Sequence, residues 1–380
     1  MFGVLTIDFW VCQCVNRQIF YKFICMKPSL IILFLVLLLG SDIFCQTLTG
    51  VVYDDNKKPL PGASVYFDGT TIGTITDQNG RYYLEISDKI NSPLVISFVG
   101  YLSAVFINPY NAGDRQVYLK PKLTEFSEVI IPGKKPKFSR EQNIKIFREQ
   151  FLGITQAGRS CKILNEEDLT VHYDYVSNIL HVSAVKPLFI ENPFLGYKVV
   201  FDLMDFSIDF DMTSVQRHNI IKSFYAGTTF FIDTGKYDKK ITKRREETYA
   251  GSRMYFFRNM YNDGWNAGEF RLYNDRLRSP VSPDDFFRST DTSGIKKVTI
   301  IRSDSIKTRN NTKIDNSAFS LTLKVFYKLK DESLIIFRTN KFFVDRFGNY
   351  APVDSILFTG EMAKKRVGDL LPINFNSDSE

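Results

Sequence analysis

Between residues 46 and 121 the chain passes through a series of short apolar segments, each separated from the next by turn residues. In one of these segments Tyr82, Leu84 and Ile86 occupy every second position, so they share one face of an extended strand. About seven such segments in roughly 75 residues are typical of a small antiparallel β-sandwich. The pattern therefore predicts a compact β domain in this region.

The residues between these segments are those that tight turns favour. Asn79 and Gly80 form a dipeptide that accepts positive φ angles, and Asp77 can bond the amides of its own turn. Prolines near a strand edge prevent further pairing. We therefore expect structural roles in turns for six residues of this domain: Pro61, Gly62, Gly73, Asp77, Gly80 and Gly100.

The order and spacing of these segments closely resemble the carboxypeptidase regulatory-like domain, a transthyretin-like seven-stranded β-sandwich. The resemblance rests on the blocks Gly50–Asp54, Pro59–Val65, Gly69–Thr74, Thr76–Tyr82 and Ser97–Tyr101. In that family the domain is an accessory module without catalytic residues, common at the front of outer-membrane receptors and other envelope proteins. The resemblance therefore implies binding or scaffolding. Sugar binding on exposed tyrosines, such as Tyr53, Tyr66 or Tyr83, is the alternative.

A short apolar run precedes the domain. Residues 30–39 contain no polar side chain, and a membrane-spanning helix would need about 20 such residues. The run is typical of a secretory signal, which we place at residues 26–45 with cleavage after Cys45. Lipidation of Cys45 is the alternative. Because a complete signal begins at Met26, residues 1–25 are interpreted as an upstream extension from a misassigned start codon.

Export constrains where the protein works. Of the five cysteines, all but Cys161 lie at or before the predicted cleavage site, so no intramolecular disulfide is expected in the mature chain. This favours the periplasm or the outer-membrane periphery of a Gram-negative bacterium over an animal secretion route. The formal net charge of +7 is modest, and export would keep the protein away from nucleic acid.

Residues 122–153 are predicted to form a linker and a docking helix. The basic stretch Pro132–Lys137 belongs to the linker. Ser139 and Gln142 then have the spacing of a capping box at the start of a helix. Three apolar residues follow at helical spacing and predict a face that docks on the neighbouring domain: Ile144, Phe147 and Phe151.

Residues 154–375 contain further strand-like runs, mostly without helices between them. The runs are 161–164, 169–175, 179–185, 197–210, 223–233, 298–301, 319–327, 334–344 and 356–359. One helix is predicted, from about Glu246 to Tyr261. Successive strands favour a larger antiparallel β-rich domain with one or two helices. The region resembles the C-terminal part of exported bacterial proteins that carry the same front domain and form a group of unknown function. Residues 376–380 are interpreted as a disordered tail.

No catalytic constellation is evident. A zinc carboxypeptidase needs a His followed three residues later by Glu, and His172, His181 and His218 all lack that Glu. Cys161 with His172 or His181 and Asp174 could form a thiol-hydrolase set. His172, His181 and Asp174 could also form a metal site. A buried cysteine and a hairpin explain the same residues more simply. We therefore predict no catalytic, cofactor-binding or metal-binding residues, and no cofactor.

Surface residues of the second domain offer weaker candidates. Basic residues cluster between positions 236 and 245 and could contact anionic lipid or lipopolysaccharide phosphate, although a solvated helix face is the simpler interpretation. Trp265, with Tyr261 and Tyr273, could bind sugar. The candidate residues are Lys239, Lys240, Lys243, Arg244, Arg245 and Trp265.

Together these features predict a non-catalytic binding or scaffolding protein of the cell envelope that engages an outer-membrane protein. A glycan or an anionic lipid is the alternative ligand, and nucleic acid is not expected. The alternative function is a carbohydrate-binding or hydrolytic accessory of polysaccharide uptake.

Overall fold

The structure, a computed structural model, describes residues 46–87, 89–111, 115–122, 136–235, 237–264, 269–274, 280–292, 294–301 and 319–376. The predicted upstream extension and signal sequence, most of the linker, Trp265 and the last four residues lie outside this part of the chain. Residues Thr47–Leu84 and Ile90–Glu380 form one compact unit. A second unit comprises Met1–Gln46 and Glu85–Lys89, of which Gln46, residues 85–87 and residue 89 are described.

The first domain has seven strands in two sheets, as the alternation predicts. The strands are β1 (Gln46–Tyr53), β2 (Ser64–Phe67), β3 (Gly73–Ile75), β4 (Arg81–Ile86), β5 (Leu94–Ser97), β6 (Ala104–Phe106) and β7 (Arg115–Tyr118). The sheet orders are β4-β1-β7 and β3-β2-β5-β6. The domain is not wholly antiparallel, because β1 and β7 run parallel, with Gly50 opposite Arg115. After β6 the chain crosses to the other sheet, where β7 runs in the same direction as β1.

Burial differs between two strands of this domain. In β4, Tyr82 and Leu84 are buried, whereas Tyr83 between them is 64% exposed. In β5 all four residues are buried, so the predicted alternation is absent there. The second face of the β5 sheet is covered because Tyr66 of β2 packs on Phe230 of the next domain, with ring centroids 5.1 Å apart.

Helix α1 (Arg140–Phe151) follows the linker and begins with the predicted capping box. The Ser139 hydroxyl accepts a hydrogen bond from the Gln142 amide, and the Gln142 side chain accepts one from the Ser139 amide. Phe147 is fully buried, and its ring lies 4.7 Å from that of Phe206 in the following sheet. The apolar face of α1 therefore forms part of the core of that sheet.

Six antiparallel strands form the sheet under α1. Five of them have the order β8-β11-β12-β10-β9, and β13 pairs with β12. The strands are β8 (Lys162–Ile163), β9 (Leu169–Asp174), β10 (Ile179–Ala184), β11 (Leu188–Asn192), β12 (Tyr197–Phe210) and β13 (Ile220–Asp233). The short helix α2 (Gln156–Ser160) precedes the sheet, and α3 (Lys239–Tyr249) follows it.

Two four-stranded sheets enclose a second core with helix α4 (Arg253–Tyr261). Their orders are β14-β17-β18-β21 and β15-β16-β19-β20. The strands are β14 (Phe270–Asn274), β15 (Phe287–Thr292), β16 (Ile295–Ile300), β17 (Leu321–Tyr327), β18 (Asp331–Phe337), β19 (Lys341–Asp345), β20 (Tyr350–Ala351) and β21 (Ile356–Phe358). A one-turn helix, α5 (Glu361–Lys364), follows. The region is thus mainly antiparallel β, as predicted, and its two longer helices are α3 and α4.

The single helix predicted from Glu246 to Tyr261 is in fact the end of α3 and the whole of α4. Gly251 separates them with a φ angle of +64°, a left-handed conformation that side chains with a Cβ disfavour. The Ser252 hydroxyl then caps α4 by accepting a hydrogen bond from the Tyr255 amide at 3.1 Å. The continuous apolar pattern concealed this break.

The first domain packs against β13 through main-chain contacts. The Gly69 amide donates to the Thr229 carbonyl at 2.7 Å, and the Phe231 amide donates to the Thr70 carbonyl at 2.9 Å. Thr70 and Phe230 form a parallel bridge. The loop after β2 is therefore added to β13 as a short strand, which joins the two domains at a fixed register.

The C-terminal segment contacts the first domain and both parts of the second domain. Leu371 lies in the core under α1, and the Ile373 amide donates to the Gly69 carbonyl of the first domain at 2.7 Å. Arg258 of α4 donates to the carbonyls of Ile373 and Phe375, at 2.8 Å each. This segment therefore links the first domain to both parts of the second.

Asp68 places a carboxylate in the contact between the first domain and β13. Its Oδ1 atom accepts a hydrogen bond from the Thr229 amide at 2.7 Å. Burial nevertheless raises the pKa of the Asp68 carboxyl. Protonation thus favours the folded state, and this contribution to stability is lost as the pH rises through the raised pKa.

We expect the wild type to lose stability relative to Asp68→Asn as the pH rises from about 4 towards 7, since the side-chain amide of the variant cannot titrate. Chemical denaturation at several pH values measures the difference. Asp68→Ala should cost about 1–3 kcal/mol at any of these pH values, because the Thr229 amide loses its acceptor. Identical pH profiles for the wild type and Asp68→Asn would contradict the expectation.

Candidate binding surfaces

Most of the predicted turn residues of the first domain lie in turns. Gly62, Gly80 and Gly100 have φ angles of 78°, 71° and 86°. Asp77 Oδ1 accepts hydrogen bonds from the amides two and four residues further on, both at 2.8 Å. Pro61 is exposed in the turn before β2. The positive φ angles and the side-chain hydrogen bonds of these residues shape the turns of the domain.

Gly73 was expected in a turn but is the first residue of β3. A Cβ atom on Gly73 would lie 2.7 Å from the ring of Phe230 and 2.8 Å from Cβ of Tyr66. Both distances are too short for ordinary contact. The small size of this residue therefore serves the packing of the first domain on β13 rather than the backbone conformation of a turn.

Cys161 cannot serve as a ready nucleophile. It lies at the end of α2, and its thiol donates to the Ala157 carbonyl at 3.3 Å. Burial, with a smaller effect of the Asp369 carboxylate, raises the pKa of the thiol to about 12. The reactive thiolate is therefore scarce at neutral pH, which argues against the thiol-hydrolase alternative.

The structure brings two of the three histidines together. His172 on β9 lies directly opposite His181 on β10. Asp174 stabilises the turn that follows β9. Its carboxylate accepts hydrogen bonds from the Val176 amide and the Ser177 hydroxyl. These bonds lower its pKa. Among the described residues no group of three or more His, Cys, Asp or Glu side chains is placed to hold a metal ion.

The basic cluster divides between two faces of α3. Lys239, Lys240 and Lys243 are exposed, and Arg244 is half-buried with its guanidinium 4.6 Å from the centre of the Phe194 ring. Lys236 lies outside the described residues. Among the described residues the exposed part of the cluster therefore consists of three lysines, fewer basic residues than the sequence suggested.

Arg245 was expected at the surface but is only 6% exposed. Its guanidinium forms two hydrogen bonds with the Asp233 carboxylate, at 2.7 and 2.9 Å. It also donates to the carbonyls of Leu195 and Gly196 and lies 3.9 Å from the centre of the Tyr197 ring. The helical period offered a signal for this burial, because Tyr249, four residues later, is buried on the same face.

The tyrosines proposed for sugar binding have different environments. Tyr66 is buried, and its hydroxyl shares a hydrogen bond with Thr228 at 3.1 Å, so it is closed to ligands. Tyr53 stacks on Tyr118 with ring centroids 5.3 Å apart, and Tyr118 is 48% exposed. With Tyr83 they leave three aromatic rings accessible on the sheet of β1, β4 and β7.

In the second domain the predicted sugar-binding cluster cannot be assembled from the described residues, since Trp265 is not among them. The ammonium of Lys296 lies 5.5 Å from the centre of the Tyr261 ring. Tyr273 packs edge-on against Phe326 at 5.5 Å. Both rings therefore already have neighbours within the protein.

A surface groove runs between α1 and the connection from β12 to β13. It has a volume of about 670 Å³. Its lining residues are Gln142, Lys145, Ile146, Glu149, Val215, Gln216, Arg217 and His218. One wall is fixed by an ion pair between Arg217 and Glu149 at 2.8 Å. The lining of the groove thus combines two apolar residues, Ile146 and Val215, with polar and charged ones.

No helix in the described part of the chain is both long enough and apolar enough to cross a bilayer. Residues 48–131 match the family described as the CarboxypepD_reg-like domain, so the chain carries this domain, as predicted. A 110-residue segment is 36% identical to the TonB-dependent receptor SusC of Bacteroides thetaiotaomicron. The aligned segment covers 28% of this chain and 10% of the receptor, so the similarity concerns a small part of a much longer protein.

Proposed function

We propose that this protein is a non-catalytic binding and scaffolding component of the cell envelope of a Gram-negative bacterium, where it engages an outer-membrane protein. Its place is the periplasm or the outer-membrane periphery. The sequence similarity to a TonB-dependent receptor supports an envelope location.

The observation that carries the proposal is the fixed attachment of the CarboxypepD_reg-like domain. An accessory domain on a free linker would move independently of the rest of the chain. Here the loop after β2 is hydrogen-bonded to β13, and the C-terminal segment bonds the same loop from another side. The two domains therefore present a joined surface to a partner, and the groove beside α1 is one concavity on it.

A crosslinked pull-down tests this function. Tagged protein spanning residues 46–380 is crosslinked in envelopes of the source cell, and captured proteins are identified by mass spectrometry. We expect one stoichiometric outer-membrane partner. Lys145→Glu, in the groove, should reduce its recovery at least tenfold, whereas Lys240→Glu makes the same charge change on α3 and should leave recovery unchanged.

Recovery of no stoichiometric protein would contradict the proposed partner and favour carbohydrate binding in polysaccharide uptake. The specific observation that supports this second candidate is the exposed stack of Tyr53 on Tyr118, since flat aromatic surfaces can pack on sugar rings. A glycan-binding screen with the wild type and Tyr118→Ala would then decide. Binding to anionic vesicles that is lost in Lys240→Glu would instead indicate a lipid ligand.

A further inference from the structure

His172 and His181 are directly opposite residues of two paired antiparallel strands. Side chains in this relation project from the same face of the sheet, with Cβ atoms about 4.5–5.5 Å apart. The chain has three histidines in 380 residues, and the register of one hairpin places two of them side by side. The strands are held by a continuous register of six pairs, so this spacing is built into the sheet.

Both histidines are exposed, so their rings are accessible from solvent. The neighbouring pair on the same face, Thr170 and Ser183, is polar, and Ser207 of β12 lies opposite His181 on its other side. Among the described residues, no aromatic ring packs on either imidazole and no salt bridge involves one. Two nitrogen donors therefore lie on one face of the sheet, with hydroxyl groups and the Asp174 carboxylate near them.

We propose that His172 and His181 together bind a divalent transition-metal ion as a two-nitrogen chelate. Neutral imidazole is the most common protein ligand for such ions and binds Zn²⁺, Cu²⁺ and Ni²⁺. With two protein ligands the ion keeps water at its other positions, so the site is open, unlike a closed four-ligand structural zinc site. Hard cations such as Mg²⁺ and Ca²⁺ prefer oxygen ligands and are not expected to bind here.

Isothermal titration of the full chain with Ni²⁺ tests the proposal. Accessible thiols are first alkylated, because thiolates would compete for the metal. We expect one equivalent of Ni²⁺ to bind at a site that weakens at least tenfold in both His172→Asn and His181→Asn. His218→Asn is the matched control, since the third histidine lies away from the pair, after β12, and should leave the affinity unchanged.

Circular dichroism checks that each variant keeps its β-sheet signal, as expected for exchanges at exposed positions. Mg²⁺ at the same concentration should give no saturable heat. The proposal is overturned if the wild type binds no equivalent of Ni²⁺, or if either His172→Asn or His181→Asn retains the wild-type affinity. These results are independent of the pull-down, because His172 and His181 do not line the groove.

Discussion

Arg245→Ala should lower the free energy of unfolding by about 3–5 kcal/mol, among the largest effects of a single substitution in this chain. The guanidinium is buried, and its removal takes away two hydrogen bonds to the Asp233 carboxylate, whose side chain is 25% exposed. The carbonyls of Leu195 and Gly196 lose their donors in the same step. Urea denaturation followed by circular dichroism measures the loss.

The controls separate the ion pair from the packing. Lys243→Ala, on the exposed face of α3, should change stability by less than about 0.5 kcal/mol. Arg245→Met paired with Asp233→Asn removes both charges and should recover part of the loss, because the Asp233 charge is then removed together with its partner. A loss below about 1 kcal/mol for Arg245→Ala would show that this arginine is solvated rather than buried.

Phe147→Ala is expected to cost about 3–5 kcal/mol, through the lost transfer free energy and the cavity that remains. Phe147 is fully buried in α1, where its ring stacks on Phe151 at 5.0 Å and meets Phe206 edge-on at 4.7 Å. The substitution should also loosen α1 from the sheet. Hydrogen exchange of the α1 amides measures that loosening directly, beside the denaturation midpoint.

Lys145→Ala is the matched control, since it lies on the same helix with its side chain exposed. Its stability should remain within about 0.5 kcal/mol of the wild type. Phe147→Leu should lose less than Phe147→Ala because it fills most of the space. If Phe147→Ala and Lys145→Ala unfold at the same urea concentration, the docking of α1 on the sheet is refuted.

Local pattern was sufficient for much of this fold. The strand Tyr197–Phe210 was predicted with its observed bounds, and the capping box at Ser139 and Gln142 forms as expected. Both features depend on near neighbours: alternation of apolar residues in a strand, and two side chains three residues apart. The seven strands of the first domain follow from the same alternation and from its turn residues.

Where the chain changes sheets, the local pattern failed. Residues 334–344 are apolar enough to suggest one strand, yet β18 ends at Phe337 and β19 begins at Lys341, and the two strands belong to different sheets. No predicted run covers strands β11, β14, β15 and β20, because short runs become strands only when long-range partners pair with them. Tertiary contacts therefore determine whether such segments form strands.

The environments of the candidate surface residues likewise depend on contacts that the local sequence pattern does not show. Arg245 was assigned to a solvated face because charge counts ignore which side of a helix a residue occupies. The side-by-side placement of His172 and His181 depends on the register of a hairpin, which the positions of the two residues in sequence suggested only loosely. Gly73 was placed in a turn, whereas its role depends on Phe230, far along the chain.

The contact between Ile373 and Gly69 has a consequence for biosynthesis. Three hundred residues separate the two partners, and translation supplies the first domain long before the segment that bonds its loop. The β-sandwich core can assemble from its own strands early, but its final attachment waits until the C-terminal segment has been made. The contact between Ile373 and Gly69 can therefore form only after the strands of the first domain have been made.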